Sequence, residues 1–313
     1  MSARHIRLLY RDVDRLPYLY ALVRTARAYD VEIELVRHVQ AGSEDWGERL
    51  KRGEIDAISE NYWGLQRFRS AGAPFITVAS SAHAWLEWLL VRPGINSLDD
   101  LRGKKLAVRD TGPQRSFPTV VLRQLGLIDA VEQVLVTEKA EGRWGNWKAV
   151  VDGRCDAAFI QPAYGDPGLA AGLHPIDYIP FAFEGGYIIP TLMEDYVAAN
   201  PDTVRGLVFG MFDACRRAKT EPGWLLEVTR AEALDELAEH FSFSNDAAVE
   251  RFVMHQIDEI AEIPIPTLQG LSNALEIVKV QFPGQVTDDF NPLVMWDLSF
   301  AREALARREK VTK

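Results

Sequence analysis

Cysteine is scarce. The 313 residues hold two, Cys155 and Cys215, and no CxxC pair, which excludes a disulfide framework and a thiolate metal cluster. The six histidines, His5, His38, His83, His174, His240 and His255, show no metal-ligand spacing, so neither a metal site nor a cofactor is expected. Positive charge is in deficit: 35 Lys and Arg stand against 45 Asp and Glu, a net charge of −10. That balance argues against a nucleic-acid partner, which requires a basic stripe. Long apolar runs are missing as well. The longest, Trp85–Val91, is interrupted by Glu87 and is far too short to span a bilayer, so no membrane insertion is expected. The opening MSARHIRLLY has no apolar h-region and no small-residue cleavage site and enters a strand at once. A chain beginning this way is expected in the cytoplasm, and in the periplasm or outside the cell if an export signal was trimmed.

What is present fits a globular α/β protein of two lobes, with 47% apolar and 26% charged residues. Short strands are expected at 5–10, 31–38, 55–59, 74–80, 88–91, 104–108 and 134–137, alternating with helices, the pattern of parallel βαβ units. One stretch echoes another: GEIDAISENYWG at 53–64 and GRCDAAFIQPAYG at 153–165 each place Asp-Ala at the entry of a strand and a polar, aromatic loop beyond it. In doubly wound sheets that edge takes the ligand, which makes Asn61, Tyr62, Trp63, Gln161 and Tyr164 candidate contacts. Trp144 and Trp147, three apart, can share one helical face; Trp147 is read as core, and Trp144 is open between core and a cleft aromatic. From Met193 onward the pattern is helical, with helices expected over 200–219, 229–241, 245–260, 267–280 and within 291–307.

The segment 97–127, SLDDLRGKKLAVRDTGPQRSFPTVVLRQLGL, contains the best anion site in the sequence. Ser97 and Asp100 are spaced as a capping box. A strand then delivers a turn-rich loop to the start of a helix at Phe117, whose unpaired N–H groups favour negative charge. Arg109, Thr111, Gly112, Gln114, Arg115 and Ser116 are fitted to hold a carboxylate, sulfonate or sulfinate. The alternative is an ordinary α/β loop whose polar side chains only cap the helix.

The order of these segments resembles a family. SLDDLRGKKLAV, GEIDAIS, GRCDAAF, NPDTVRGL at 200–207 and FNPLVMWDLSF at 290–300 are similar to segments of the solute-binding proteins of the aliphatic-sulfonate and thiamin-pyrimidine-precursor kind. The resemblance implies the type II periplasmic-binding fold: two doubly wound α/β lobes, residues 1–90 with 190–313 and residues 91–189, an interlobe cleft, C-terminal helices, and a small anionic organic ligand. An ABC permease is implied as partner only for an exported chain. The same fold hosts intracellular enzymes. The pyrimidine synthase relatives carry a Cys-rich run that is absent here. The desulfinase relatives carry a nucleophilic Cys after the first strand, where this chain has Arg11, Asp12 and Asp14. A decarboxylase-like lyase acting on an aromatic acid is the reading taken, with a non-catalytic solute binder as the alternative. In that reading Arg11, Arg109 and Arg115 hold the acid, and His83, partnered by Asp12 or Glu184, protonates the carbon that loses CO₂. For Asp14 the simpler role is a cap for the first helix.

Overall fold

The structure is a computed structural model that describes residues 4–38, 44–59, 62–110, 115–142, 144–179, 181–184, 188–241, 243 and 245–311. Its strands, in chain order, are β1 Arg4–Tyr10, β2 Val31–Arg37, β3 Ala57–Ile58, β4 Phe75–Thr77, β5 Ala84–Trp85, β6 Trp88–Val91, β7 Lys105–Arg109, β8 Glu132–Val136, β9 Ala157–Ile160, β10 His174–Ile176, β11 Phe181–Ala182 and β12 Thr191–Met193. The chain divides into two compact units: residues 1–84, 182–275 and 284–313, and residues 85–181 with 276–283.

The first unit holds a five-stranded sheet of order β2-β1-β3-β12-β4. β1 runs parallel to β2 and β3, and β12 runs antiparallel to β3 and β4. The second unit holds a sheet of order β10-β6-β9-β7-β8. Here β7 is parallel to β8 and β9, and β6 is antiparallel to β9 and β10. The two orders correspond strand for strand, with β1, β2, β3, β12 and β4 answering to β7, β8, β9, β6 and β10. The single antiparallel strand in each sheet is what the expectation of purely parallel sheets missed. A short antiparallel insertion leaves no period of its own in a run of apolar residues.

The sequence echo is the seam of this correspondence. The helices Glu44–Lys51 and Trp147–Val151 each end ahead of a left-handed glycine, Gly53 (φ 66°) and Gly153 (φ 75°), a conformation glycine adopts without a Cβ penalty. Asp56 then accepts from the main-chain N–H of Arg7 at 2.8 Å, while its own N–H donates to the Arg7 carbonyl at 3.0 Å. Asp156 does the same to Lys105, with both bonds at 2.8 Å. Each aspartate also meets a guanidinium, Arg7 at 2.7 Å and Arg92 at 2.6 Å.

The helices of the first unit follow the expected pattern with two changes, the first being Tyr62–Ser70, a helix where a loop was expected. Pro201–Thr220 packs against Leu16–Ala26, and the Thr25 hydroxyl donates to the Gly210 carbonyl at 2.8 Å. The helix expected over 229–241 starts earlier, at Pro222, whose missing N–H suits a first turn. It continues through a π turn, Thr229–Ala233, into Leu234–Ala238. Asp246–Glu259, Ser299–Val311 and Leu268–Gln281, whose residues from Glu276 on count with the second unit, follow the expected positions. No described helix is long and apolar enough to cross a membrane.

Because each aspartate satisfies a main-chain N–H at a strand entry, its removal strands that donor. Asp56→Ala and Asp156→Ala are each expected to lower stability by about 1–3 kcal/mol. Asp→Asn, which keeps one acceptor oxygen, loses less. Urea unfolding of the four variants checks this, and equal loss for Ala and Asn contradicts it.

Candidate functional site

In the second unit the site is built at the C-terminal ends of two neighbouring parallel strands. Arg109 is the last residue of β7, and Gln161 follows β9 directly. Both side chains are buried, Arg109 to 6% exposure. The Arg109 guanidinium carbon lies 4.2 Å from the centre of the Trp144 ring. Trp144 in turn stacks on Tyr164, with ring centres 5.6 Å apart and planes inclined by 23°. Asn146, two residues on, donates from its side-chain amide to the Phe159 carbonyl at 3.1 Å and the Ala107 carbonyl at 3.5 Å. It thereby ties the Trp144 segment to β7 and β9 together. Ser116 is buried just ahead of the helix Phe117–Gln124 but makes no capping hydrogen bond, and Arg115 is exposed. Thr111, Gly112 and Gln114 lie outside the described residues.

Two readings of this segment change. Asp100 supplies the half of the capping box that reaches back: its carboxylate accepts from the main-chain N–H of Asn96 and Ser97 at 2.9 and 3.0 Å, and from the Ser97 hydroxyl at 3.0 Å. Trp144 and Trp147 do not share a helical face. Trp147 opens its helix half-buried, while Trp144 precedes the helix at φ 58° and is buried to 5% exposure. A spacing of three cannot reveal that a left-handed residue lies between Gly142 and Gly145.

In the first unit two candidates expected to work together do meet. His83 Nδ1 lies 2.9 Å from Glu184 Oε1, a close charge contact whose direction is poor for a hydrogen bond. The other ring nitrogen, Nε2, is 2.9 Å from the Ile263 carbonyl. Glu184 is fully buried. It accepts from the Thr267 N–H at 2.8 Å, from the Thr267 hydroxyl at 3.0 Å, and from the Ser80 hydroxyl. Thr267 precedes the helix Leu268–Gln281, so the carboxylate also sits at the positive end of a helix. A Cβ at Gly270 would come within 2.7 Å of Glu184, so the approach depends on that glycine. Burial alone would lower the His83 pKa, but the close Glu184 carboxylate, with the Ile263 and Ala82 carbonyls, raises it above the ordinary 6.5.

Asp12 is engaged elsewhere. Arg11 forks onto its carboxylate at 2.9 and 2.8 Å, and the same guanidinium lies 5.5 Å from the Trp46 ring centre. Asp14 is buried in the turn Val13–Arg15 with its carboxylate 3.7 Å from Arg15, and the residue at the N-cap of the helix Leu16–Ala26 is Arg15. Tyr62 and Trp63 open the helix Tyr62–Ser70, but their side chains, and Asn61 altogether, lie outside the described residues. Both cysteines are buried free thiols. Burial pushes Cys215 up to about 12 and raises Cys155, the opposite of what a nucleophile needs. Among the described residues no group of three or more His, Cys, Asp or Glu is placed to hold a metal ion. The sequence argument had no means of finding the Thr267 and Ser80 contacts, since 83 and 104 residues separate them from Glu184.

Comparison with known proteins gives a consistent answer at the level of fold. No family model and no curated protein matches the chain. Solved structures match over nearly its whole length. The putative periplasmic sulfonate-binding protein SsuA of Methylobacillus flagellatus superposes with a TM-score of 0.72 at 13% identity, covering 98% of this chain and 96% of that one. The aliphatic sulphonate-binding protein SsuA of Escherichia coli gives 0.65 at 16% identity, covering 95% and 93%. The desulfurization enzyme DSZB gives 0.62 at 13% identity, covering 97% and 99%. The chain has the type II periplasmic-binding-protein fold, one shared by sulfonate binders and by an enzyme.

Proposed function

We propose that the protein binds a small organic anion, a carboxylate or sulfonate, and that Arg109 receives its acid group. One observation carries this: a buried guanidinium stands at the C-terminal end of a strand in a doubly wound sheet, and Gln161 leaves the end of the neighbouring parallel strand one residue beyond its register. That edge is where such sheets take ligands, and the planar fork of arginine matches the paired oxygens of an acid. The sulfonate binders among the structural neighbours support the same ligand class. In this role the protein delivers its ligand to an ABC permease outside the cytoplasm.

A second reading, a decarboxylase-like lyase acting on an aromatic acid, is favoured by the His83–Glu184 contact. It asks His83 to give a proton to substrate carbon. Both ring nitrogens already face protein acceptors, Glu184 and the Ile263 carbonyl, so the proton would have to leave one of them. Thiol chemistry finds no support, because the loop after β1 holds Arg11 and Asp12 and both thiols are buried.

Three measurements follow. Isothermal titration of benzoate and ethanesulfonate is expected to show binding to the wild type, weakened roughly 30-fold or more in Arg109→Gln. Unchanged affinity in that variant would remove the central claim. Incubation with hydroxylated benzoic acids is expected to leave them intact; CO₂ release that disappears in His83→Ala would establish the lyase reading instead. The third concerns pH. A histidine whose folded pKa is raised contributes stability that is fully present below its unfolded value near 6.5 and fades as pH climbs through the folded value. The stability difference between wild type and His83→Gln is therefore expected to be largest below pH 6.5 and to shrink toward pH 9. A gap that stays constant or widens over that range contradicts the assignment.

A further inference from the structure

Trp144 meets two costs at one residue. Its backbone is left-handed, at φ 58°, a conformation that strains a residue with a large side chain. Its indole N–H is buried with no hydrogen-bond partner among the described residues, whereas buried tryptophans ordinarily find one. Such costs persist only where the surroundings impose them. Here Asn146 pins the segment to the Phe159 and Ala107 carbonyls, and the Gly145 N–H closes the turn onto the Gly142 carbonyl at 3.0 Å. What accompanies the strained conformation is contact of the indole with Arg109 at 4.2 Å and with Tyr164 at 5.6 Å. At 5% exposure the ring offers a ligand no face to stack on.

The first unit carries a counterpart. Arg11 stands four residues beyond Arg7, as Arg109 stands four beyond Lys105, and Arg7 and Lys105 are the residues gripped by Asp56 and Asp156. Arg11 also lies over a buried tryptophan, Trp46, whose indole N–H likewise has no partner among the described residues. An arginine braced on an indole thus occurs at the same position of both sheets. The copy in the first unit forks onto Asp12.

We infer that Trp144 is a positioning residue: it holds the Arg109 guanidinium by its face, so that an acid is received at the edge, in the plane of the fork. This rests on the anion-binding reading above. It makes the affinity for the acid depend on a π face at position 144, because a guanidinium over an aromatic ring is held by the ring's quadrupole.

The test compares Trp144→Phe with Trp144→Leu. Both remove the indole N–H and shrink the side chain, so both lower the melting temperature, but only Leu removes the π face. Titrated with benzoate and with ethanesulfonate, Trp144→Leu is expected to bind roughly 5- to 30-fold more weakly than wild type, and Trp144→Phe to stay within about threefold. In the Arg109→Lys background, where no planar fork remains, Trp144→Leu is expected to add little further loss. Equal losses for Phe and Leu, or no loss for Leu, overturn the inference. If Arg109→Gln binds both probes as the wild type does, or the wild type binds neither, the anion-binding reading itself fails, and this inference with it.

Discussion

The reciprocal grip of one aspartate on the entry of a neighbouring strand sets the geometry of both sheets. A parallel pair has no hairpin to fix its register, and a slip of one residue would turn every side chain to the opposite face. Asp56 and Asp156 remove that freedom. Each holds both the N–H and the carbonyl of a single residue on the adjacent strand, Arg7 or Lys105. With the entries locked, the exits are locked too. Arg11 follows the end of β1 and Ser59 the end of β3; Arg109 ends β7 and Gln161 follows β9. Residues that would bind a ligand are therefore placed by carboxylates at the far end of the same strands, where no ligand is expected.

The two units then use one scaffold differently. In the second, the strand exits present a braced guanidinium and a buried amide. In the first, the equivalent arginine is neutralised by its sequence neighbour Asp12, and its polar chemistry gathers elsewhere, around Glu184. That carboxylate is buried without exposure yet surrounded by donors: a hydroxyl, a main-chain N–H, a second hydroxyl, and the N-terminal end of a long helix. A buried charge is tolerated when it is compensated in this way. The consequence falls on His83, whose two ring nitrogens face the carboxylate and a carbonyl.

Much of this was legible in order, and less of it in contact. The helix, glycine, Asp-Ala, strand unit could be read twice because each part has a local cause: a left-handed stop, a carboxylate that satisfies a strand entry, and an apolar run. Arg109 and Gln161 could be placed at strand ends for the same reason. His83 and Glu184 could be named as candidates by residue type, but their meeting depends on a chain return of 101 residues, and Thr267 and Ser80 gave no sign of joining them. The left-handed turn at Trp144 could not be read, because spacing counts residues and says nothing of φ. The antiparallel β6 and β12 were hidden for a similar cause, since strand direction is a property of the connection and leaves no mark on composition.

Binding and catalysis make different demands on such a molecule. Binding an acid needs a fixed cation in a site of low polarity, and a stacked, buried arginine meets that need at any ordinary pH because its charge does not titrate away. Proton transfer to carbon needs a group whose valence is open to the substrate in at least one protonation state. The histidine–carboxylate pair of the first unit, for all its resemblance to a catalytic dyad, directs both nitrogens of a half-buried imidazole at the protein itself. The arrangement that would make His83 a good acid, a hydrogen-bonded and oriented imidazole, is the same arrangement that consumes its donors. On that balance the anion-binding reading proposed above asks least of the side chains present, and its weight falls on Arg109.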